Sequence, residues 1–316
     1  MTPLRIGISS CLLGDEVRFD GGHKRDAFLT GTLAPYVEWV RVCPEVEVGM
    51  GVPREPVRLV NVGSDTRMIA TRTAIDHTDD MRAYAARRTR ELESLDLRGY
   101  VLKKDSPSCG MERVKVYDRG GNAPVRNGVG LYAAVLKARF PALPIEEEGR
   151  LQDPVLRENF IERVFAYDRL RTLVDARWTL KDLIAFHTAH KMALLSHSTT
   201  AYRELGRLVA EGKTLPRREL CRRYEQLFMQ TLARPATTAR HTNVLTHMAG
   251  HLKKVADADA RRELAECIDE YRRGLVPLIV PLTLIRHHVR AHAVAYLAGQ
   301  TYLEPHPREL MLRNHV

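Results

Sequence analysis

Three cysteines in the first third of this 316-residue chain each follow a short apolar run: RIGISSC ends at Cys11, YVEWVRVC ends at Cys43, and GYVLKKDSPSCG reaches Cys109. If those runs are parallel strands, their C-terminal ends share one sheet edge, where residues distant in sequence converge on a ligand. Three thiolates meeting there suit a zinc ion with a fourth ligand from elsewhere, or a cubane iron-sulfur cluster with one iron left without a protein thiolate. Three buried thiols without a metal are the remaining reading. No Cys-x-x-Cys pair narrows the choice.

Residues 20–24, 49–55 and 103–110 combine glycines with polar side chains, a composition that lets backbone approach a ligand closely. Glu45 stands two residues after Cys43, placed to donate a proton near a metal site, or else to serve as a surface or helix-start acid. Ser106 and Ser108 flank Pro107 and read either as hydroxyls that bind or protonate a substrate or as turn residues.

The strands that position these groups are expected at 4–9, 37–42, 67–72 and 100–103. Between the last two, 79–95 predicts one helix, with acids at its start and Met81, Ala85, Leu92 and Leu95 near one face. Strand, helix, strand predicts a parallel pair, and hence an α/β N-terminal domain with a mostly parallel sheet. Residues 141–154, PALPIEEEGRLQDP, have the prolines, acids and glycine of a hinge, so domains are expected at 1–148 and 155–316. Beyond it, 154–173, 180–195, 200–211, 217–231, 242–254 and 258–275 favour helix. The second domain is expected to be all-α, with Pro216, Pro235, Pro277 and Pro281 at helix starts or breaks.

Composition excludes several classes. With 44% hydrophobic and 28% charged residues the chain is an ordinary globular one, and five cysteines are too few for a disulfide scaffold. No uncharged apolar run nears the roughly 18 residues of a membrane helix and no secretory cleavage pattern opens the chain, so a cytoplasmic protein without a membrane partner is expected. Net charge is +10, and residues 151–316 hold 26 basic against 18 acidic residues and 11 of the 13 histidines. Such a surface is either solvated or a contact for an anionic partner such as RNA. The histidines fall at 187, 190, 197, 241, 247, 251, 287, 288 and 292 among others. His247 with His251, and His288 with His292, have the four-residue spacing of a metal pair, although no acid completes a HExxH motif. A basic surface or core-edge role is the other reading.

The elements ISSCLLG, VRFDGGHK, VCPEVEVGMGVPREP and KKDSPSCG, in that order over the first 145 or so residues, resemble the thiouracil desulfurase (TudS) family. Residues 160–305 resemble the YbgA-type domain that this family sometimes carries as a C-terminal fusion. The resemblance implies a 4Fe-4S cluster on Cys11, Cys43 and Cys109, with an open iron facing the sulfur of a small thiolated nucleobase. It also implies a non-redox, hydrolytic desulfuration of 2-thiouracil or a related pyrimidine to uracil and hydrogen sulfide. Glu45 would shuttle the proton, Ser106 or Ser108 would orient the base, and Asp105 and Lys104 are further candidates for the pocket. Two other functions stay open: an RNA-binding or tRNA-thiolation accessory protein with a structural cluster, its RNA held by the basic second domain, and a zinc hydrolase using the same thiolates.

Overall fold

The computed structural model describes residues 3–118 and 123–316. The chain divides into two compact units, one ending at Gln152 and the other beginning at Asp153. The first runs β1 (Leu4–Ser9), β2 (Val37–Val42), α1 (Pro44–Glu47), β3 (Val57–Val62), β4 (Asp65–Ala70), α2 (Thr78–Glu93), β5 (Gly99–Leu102), β6 (Val114–Tyr117), β7 (Val125–Gly128), α3 (Leu131–Arg139) and β8 (Ile145–Glu147).

Four strands form an all-parallel sheet in the order β2-β1-β5-β8. A strand inside such a sheet is covered on both faces, and β1 is accordingly buried at every residue from Ile6 to Ser9. A Cβ on Gly7 would lie 2.2 Å from the Tyr100 ring, so glycine is what lets that ring sit over β1. The registers Ser9 to Val42, Ile8 to Val101 and Leu102 to Glu147 bring all four C-terminal strand ends to one edge. The second sheet, β4-β3-β6-β7, is mixed: β3 pairs antiparallel with β4 and parallel with β6, and β6 pairs antiparallel with β7.

Two expectations are corrected here. The strand expected at 67–72 is β4, two residues earlier, and it pairs with β3 rather than with β5. Gly63, at φ +64°, turns the chain tightly after β3, so the ladder groups of β4 are taken by its hairpin partner and α2 carries the chain from one sheet to the other. The expected hinge at 141–154 instead contains β8, paired parallel with β5, and its acidic triplet Glu146, Glu147 and Glu148 is buried. The helix expected at 79–95 is α2, which buries Met81, Tyr84, Ala85 and Leu92 and ends before Leu95.

The second unit is built of helices: α4 (Pro154–Asp175), α5 (Leu180–Ala189), α6 (Lys191–His197), α7 (Thr199–Ala210), α8 (Arg217–Leu232), α9 (Thr238–Leu252), α10 (Ala258–Arg272), α11 (Ile279–Ala291) and α12 (Ala295–Ala298). Side-chain caps fix several starts: Asp153 accepts from the N–H groups of Val155 and Leu156, and Thr179 and Asp182 form a capping box. The helix expected at 180–195 is two, broken at His190, which leaves helical geometry at φ −98°, ψ 2°. Val244, Leu245, Met248, Leu282 and Ile285 lie in one apolar core cluster. Among the described residues no helix is long and apolar enough to cross a membrane.

Candidate functional site

The C-terminal edge of the parallel sheet opens into a cavity of about 370 Å³. Each cysteine reaches it from a different strand end. Cys11 sits in the short turn Ser10–Leu13 directly after β1, closed by Gly14 at φ +101°, a conformation open to glycine. Cys43 is the residue between β2 and α1, and its N–H donates to Glu47 Oε1 at 3.0 Å. Cys109 ends the loop after β5. The far wall comes from the second sheet, through Val57, Arg58, Val114 and Tyr117.

Burial pushes the Cys11 thiol up to about 12, and the neighbouring Cys43 sulfur adds to the effect. Burial likewise raises Cys43 and Cys109, and the Cys43 charge acts on Cys109 as well. The Cys43 sulfur is therefore felt by both of the others. Among the described residues no three His, Cys, Asp or Glu side chains form a set that could hold a metal ion. Three thiols on three loops around one cavity are a donor set whose chemistry suits an iron-sulfur group with its corners spread between them.

Glu45, in the first turn of α1, is the polar hub. Arg54 grips its Oε2 with Nε at 3.0 Å and Nη2 at 2.5 Å, and both side chains are largely buried. Ser108 Oγ donates to Oε1 at 2.7 Å, and Ser106 Oγ lies 3.3 Å from the same oxygen and 2.9 Å from Ser108 Oγ. The Ser106 oxygen accepts from the backbone N–H groups of Ser108 and Cys109, each at 3.2 Å. Each serine has one proton to give. The economical arrangement is therefore a directed chain, from Ser106 to Ser108 to Glu45.

That loop is pinned by the start of α3. Gly130, Leu131 and Ala133 donate their N–H groups to the carbonyls of Gly110, Pro107 and Ser108 at 2.8, 3.0 and 3.1 Å, using donors that a helix start leaves unpaired. A Cβ on Gly130 would meet the Ser108 carbonyl oxygen at 2.4 Å, so only glycine allows this approach. Asp105, at φ +60°, lines the cavity but its half-exposed carboxylate pairs with Arg126 at 2.8 Å, away from the hydroxyl chain. Lys104 also lines the cavity, and its backbone N–H is bound by Glu148.

Comparison with known proteins decides the lineage. The family model described as 2-thiouracil desulfurase matches residues 6–148, and DUF1722, described as a protein of unknown function, matches 191–307. The Escherichia coli K12 protein YbgA, described as uncharacterized, is 37% identical over 153 residues, covering 48% of this chain and 90% of YbgA. The Bacillus subtilis 168 protein YbbK, also described as uncharacterized, is 31% identical over 137 residues, covering 42% of this chain and 89% of YbbK. The chain is a 2-thiouracil desulfurase family member fused to a DUF1722 region. Among solved structures, the [4Fe-4S]-dependent thiouracil desulfidase TudS is similar at 27% identity and a TM-score of 0.39, covering 47% of this chain and 93% of TudS. Family membership gives the desulfurase region a desulfurase role.

In that region Arg54 is the functional side chain that residue types alone did not single out; its signal is its place in the GMGVPREP run beside Glu45. The histidines of the helical unit do not assemble into a comparable centre. His187, His190, His197, His241 and His288 are buried, and His247 and His251 have ring centroids 5.2 Å apart without a third ligand grouped on them among the described residues. His197 Nε2 meets Glu162 at 3.2 Å. Burial opposes charge on that imidazole, but Glu162 outweighs it and raises the pKa.

Proposed function

We propose that the protein removes sulfur from 2-thiouracil or a related thiolated pyrimidine, releasing uracil and hydrogen sulfide without electron transfer. The carrying observation is that Cys11, Cys43, Cys109 and the Ser106–Ser108–Glu45 chain line one cavity at the end of one parallel sheet. A 4Fe-4S cluster on the three cysteines, with one iron lacking a thiolate, would supply a soft Lewis acid for the thiocarbonyl sulfur.

The chain's own residues do the rest. Val17, Phe19, Val42 and Val57 give the cavity an apolar wall for a flat ring. Arg54 holds Glu45 Oε2, leaving Oε1 and the serines to face the reacting atoms. Water oxygen bonds to the ring carbon, the carbon–sulfur bond breaks, and both water protons leave on sulfide. Glu45 takes one of those protons, through Ser108, and returns it to the departing sulfide. Cys→Ser at position 11, 43 or 109 is expected to abolish both the bound iron and labile sulfide and the release of hydrogen sulfide. Anaerobic purification with iron, sulfide and zinc analysis checks it, and full activity in any one variant would remove that cysteine from the ligand set. Zinc without labile sulfide in the unaltered protein would favour the hydrolase instead.

A second reading is favoured by the helical unit: an RNA-binding or tRNA-thiolation accessory protein with a structural cluster. A groove along α5 and α7 is lined by Leu180, Ile184 and Val209 together with Lys191, Arg203, Arg207 and Lys213, with no acid among its described lining residues. The His187 and Tyr202 rings lie nearly parallel there, at 11° and 6.4 Å. Cations and aromatic faces are what a single strand needs. If four phosphates are held, the log of affinity against the log of salt is expected to fall with a slope of about −3. Filter binding of bulk tRNA at several salt concentrations measures it, and absence of binding at low salt discards this reading.

A further inference from the structure

Three consecutive buried carboxylates, two ending the edge strand β8 and the third just after it, are costly unless each is matched by donors. Glu146 is matched locally, accepting from Arg150 Nε at 2.6 Å. The other two reach elsewhere. Glu148 Oε2 accepts from the backbone N–H of Lys104 at 2.8 Å, and its Oε1 accepts from Lys103 Nζ. Glu147 Oε1 accepts from the backbone N–H of Met111 at 2.6 Å. Lys104 and Met111 are the two ends of the segment that carries Ser106, Ser108 and Cys109.

We propose that Glu147 and Glu148 are positioning residues, adjacent carboxylates at the end of β8 that clamp both ends of the 104–111 loop. α3 fixes the middle of the loop through the carbonyls of Pro107, Ser108 and Gly110, leaving the N–H groups at its two ends to be held from β8. The clamp sets where the Cys109 sulfur and the two hydroxyls stand relative to Glu45, which belongs to the β2 end of the same sheet. Because β8 pairs with β5, the strand that feeds the loop, the clamp and the loop are anchored on adjacent strands. The role deepens the desulfurase reading and rests on Cys109 being a ligand there, although the clamp itself is a property of the polypeptide.

The test uses the full chain, with methionine and glutamine at each clamp position. Glu147→Met and Glu148→Met keep the buried volume and remove the acceptor; Glu147→Gln and Glu148→Gln keep an oxygen that accepts the backbone N–H. In metal-free protein, alkylation of each cysteine by iodoacetamide is followed by mass spectrometry. In cluster-loaded protein, iron loss to a chelator is timed. Outer-shell partners of metal ligands typically change affinity by 10- to 100-fold, so iron loss is expected to quicken about tenfold in the methionine variants, with a rise in cysteine alkylation beside it. The alkylation rise should fall on Cys109 and spare Cys11 and Cys43, and the glutamine variants should stay near the unaltered rates. Unchanged Cys109 labelling, or an equal rise at all three cysteines, overturns the clamp. If the methionine variants do not fold, amide hydrogen exchange of the unaltered protein decides: Lys104 and Met111 are expected to be protected, and exchange at the rate of an open loop overturns the proposal. An unaltered protein without iron and labile sulfide would overturn the cluster reading, while the labelling pattern would still decide the clamp.

Discussion

Glu45→Gln is expected to lower hydrogen sulfide release by about 10²- to 10⁴-fold, the usual weight of a positioned proton carrier, while bound iron and labile sulfide stay at the unaltered level. Glutamine keeps an oxygen that can accept from Arg54 or from Ser108, so the local shape is largely preserved. What it removes is the site at which the Ser106–Ser108 chain delivers its proton. The cost in stability is separable from the cost in chemistry. Arg54 is buried and grips Glu45 with two nitrogens, and breaking such a pair typically costs about 3–5 kcal/mol because the remaining charge is left uncompensated. A lower unfolding midpoint is therefore expected together with lower turnover. Turnover measured well below that midpoint, on protein whose iron has been counted, distinguishes the two. Loss of iron in a folded variant would make Glu45 a structural support, and unchanged turnover would take the proton away from it.

Much of the site's framework was legible because it follows from local pattern. The runs 4–9 and 37–42 are strands with those bounds, since short runs rich in β-branched and apolar residues leave few alternatives. Placing Cys11, Cys43 and Cys109 after strands followed from the same pattern, and their meeting at one edge followed from parallel pairing. Arg54 and the acidic triplet were not legible in the same way. Glu146, Glu147 and Glu148 have the composition of a solvated connector, and the partners of the last two at Lys103, Lys104 and Met111 are separated from them by more than 35 residues of chain. Pairing at that distance leaves no local signature. The second sheet escaped for a different reason: local pattern joins the run expected at 67–72 through the helix at 79–95 to 100–103, whereas the partner of that run is β3, across the hairpin turn from Val62 to Asp65, where no strand is expected.

The helical unit is expected to lose stability steeply as pH falls from about 6.5 to 5, even though its net charge alone says little about where that begins. Burial, reinforced by nearby Lys191, Arg169 and Arg313, lowers His187 to about 4, His190 to about 3 and His241 to about 4. The geometry shows why for His190: its Nδ1 bonds the Phe186 carbonyl at 2.8 Å and its Nε2 accepts from Arg169 at 3.2 Å, so neither nitrogen has room for a second proton. Unfolded imidazoles take up protons near 6.5. Between that value and the folded ones the unfolded chain binds more protons, and the folded state loses about 2 kcal/mol per histidine by pH 5. Glu158 and Glu162, held below the ordinary carboxylate range against the opposing effect of burial by Arg313 with His306 and by His197 with Arg313 respectively, add a further loss as pH falls through the unfolded carboxylate value near 4.5. His197 works in the opposite sense: its raised pKa stabilises the fold below about 6.5 and that contribution is lost as pH rises through the folded value. Glu225, raised by burial, also favours the fold in acid. Three depressed imidazoles outweigh these, so the optimum lies near neutrality. The two tryptophans, Trp39 in β2 and Trp178 before α5, report on different units. With Trp39→Phe, the fluorescence of Trp178 follows the helical unit alone, and its urea midpoint should fall between pH 7 and pH 5. A midpoint that holds or rises across that interval would mean that the buried imidazoles accept protons where they stand.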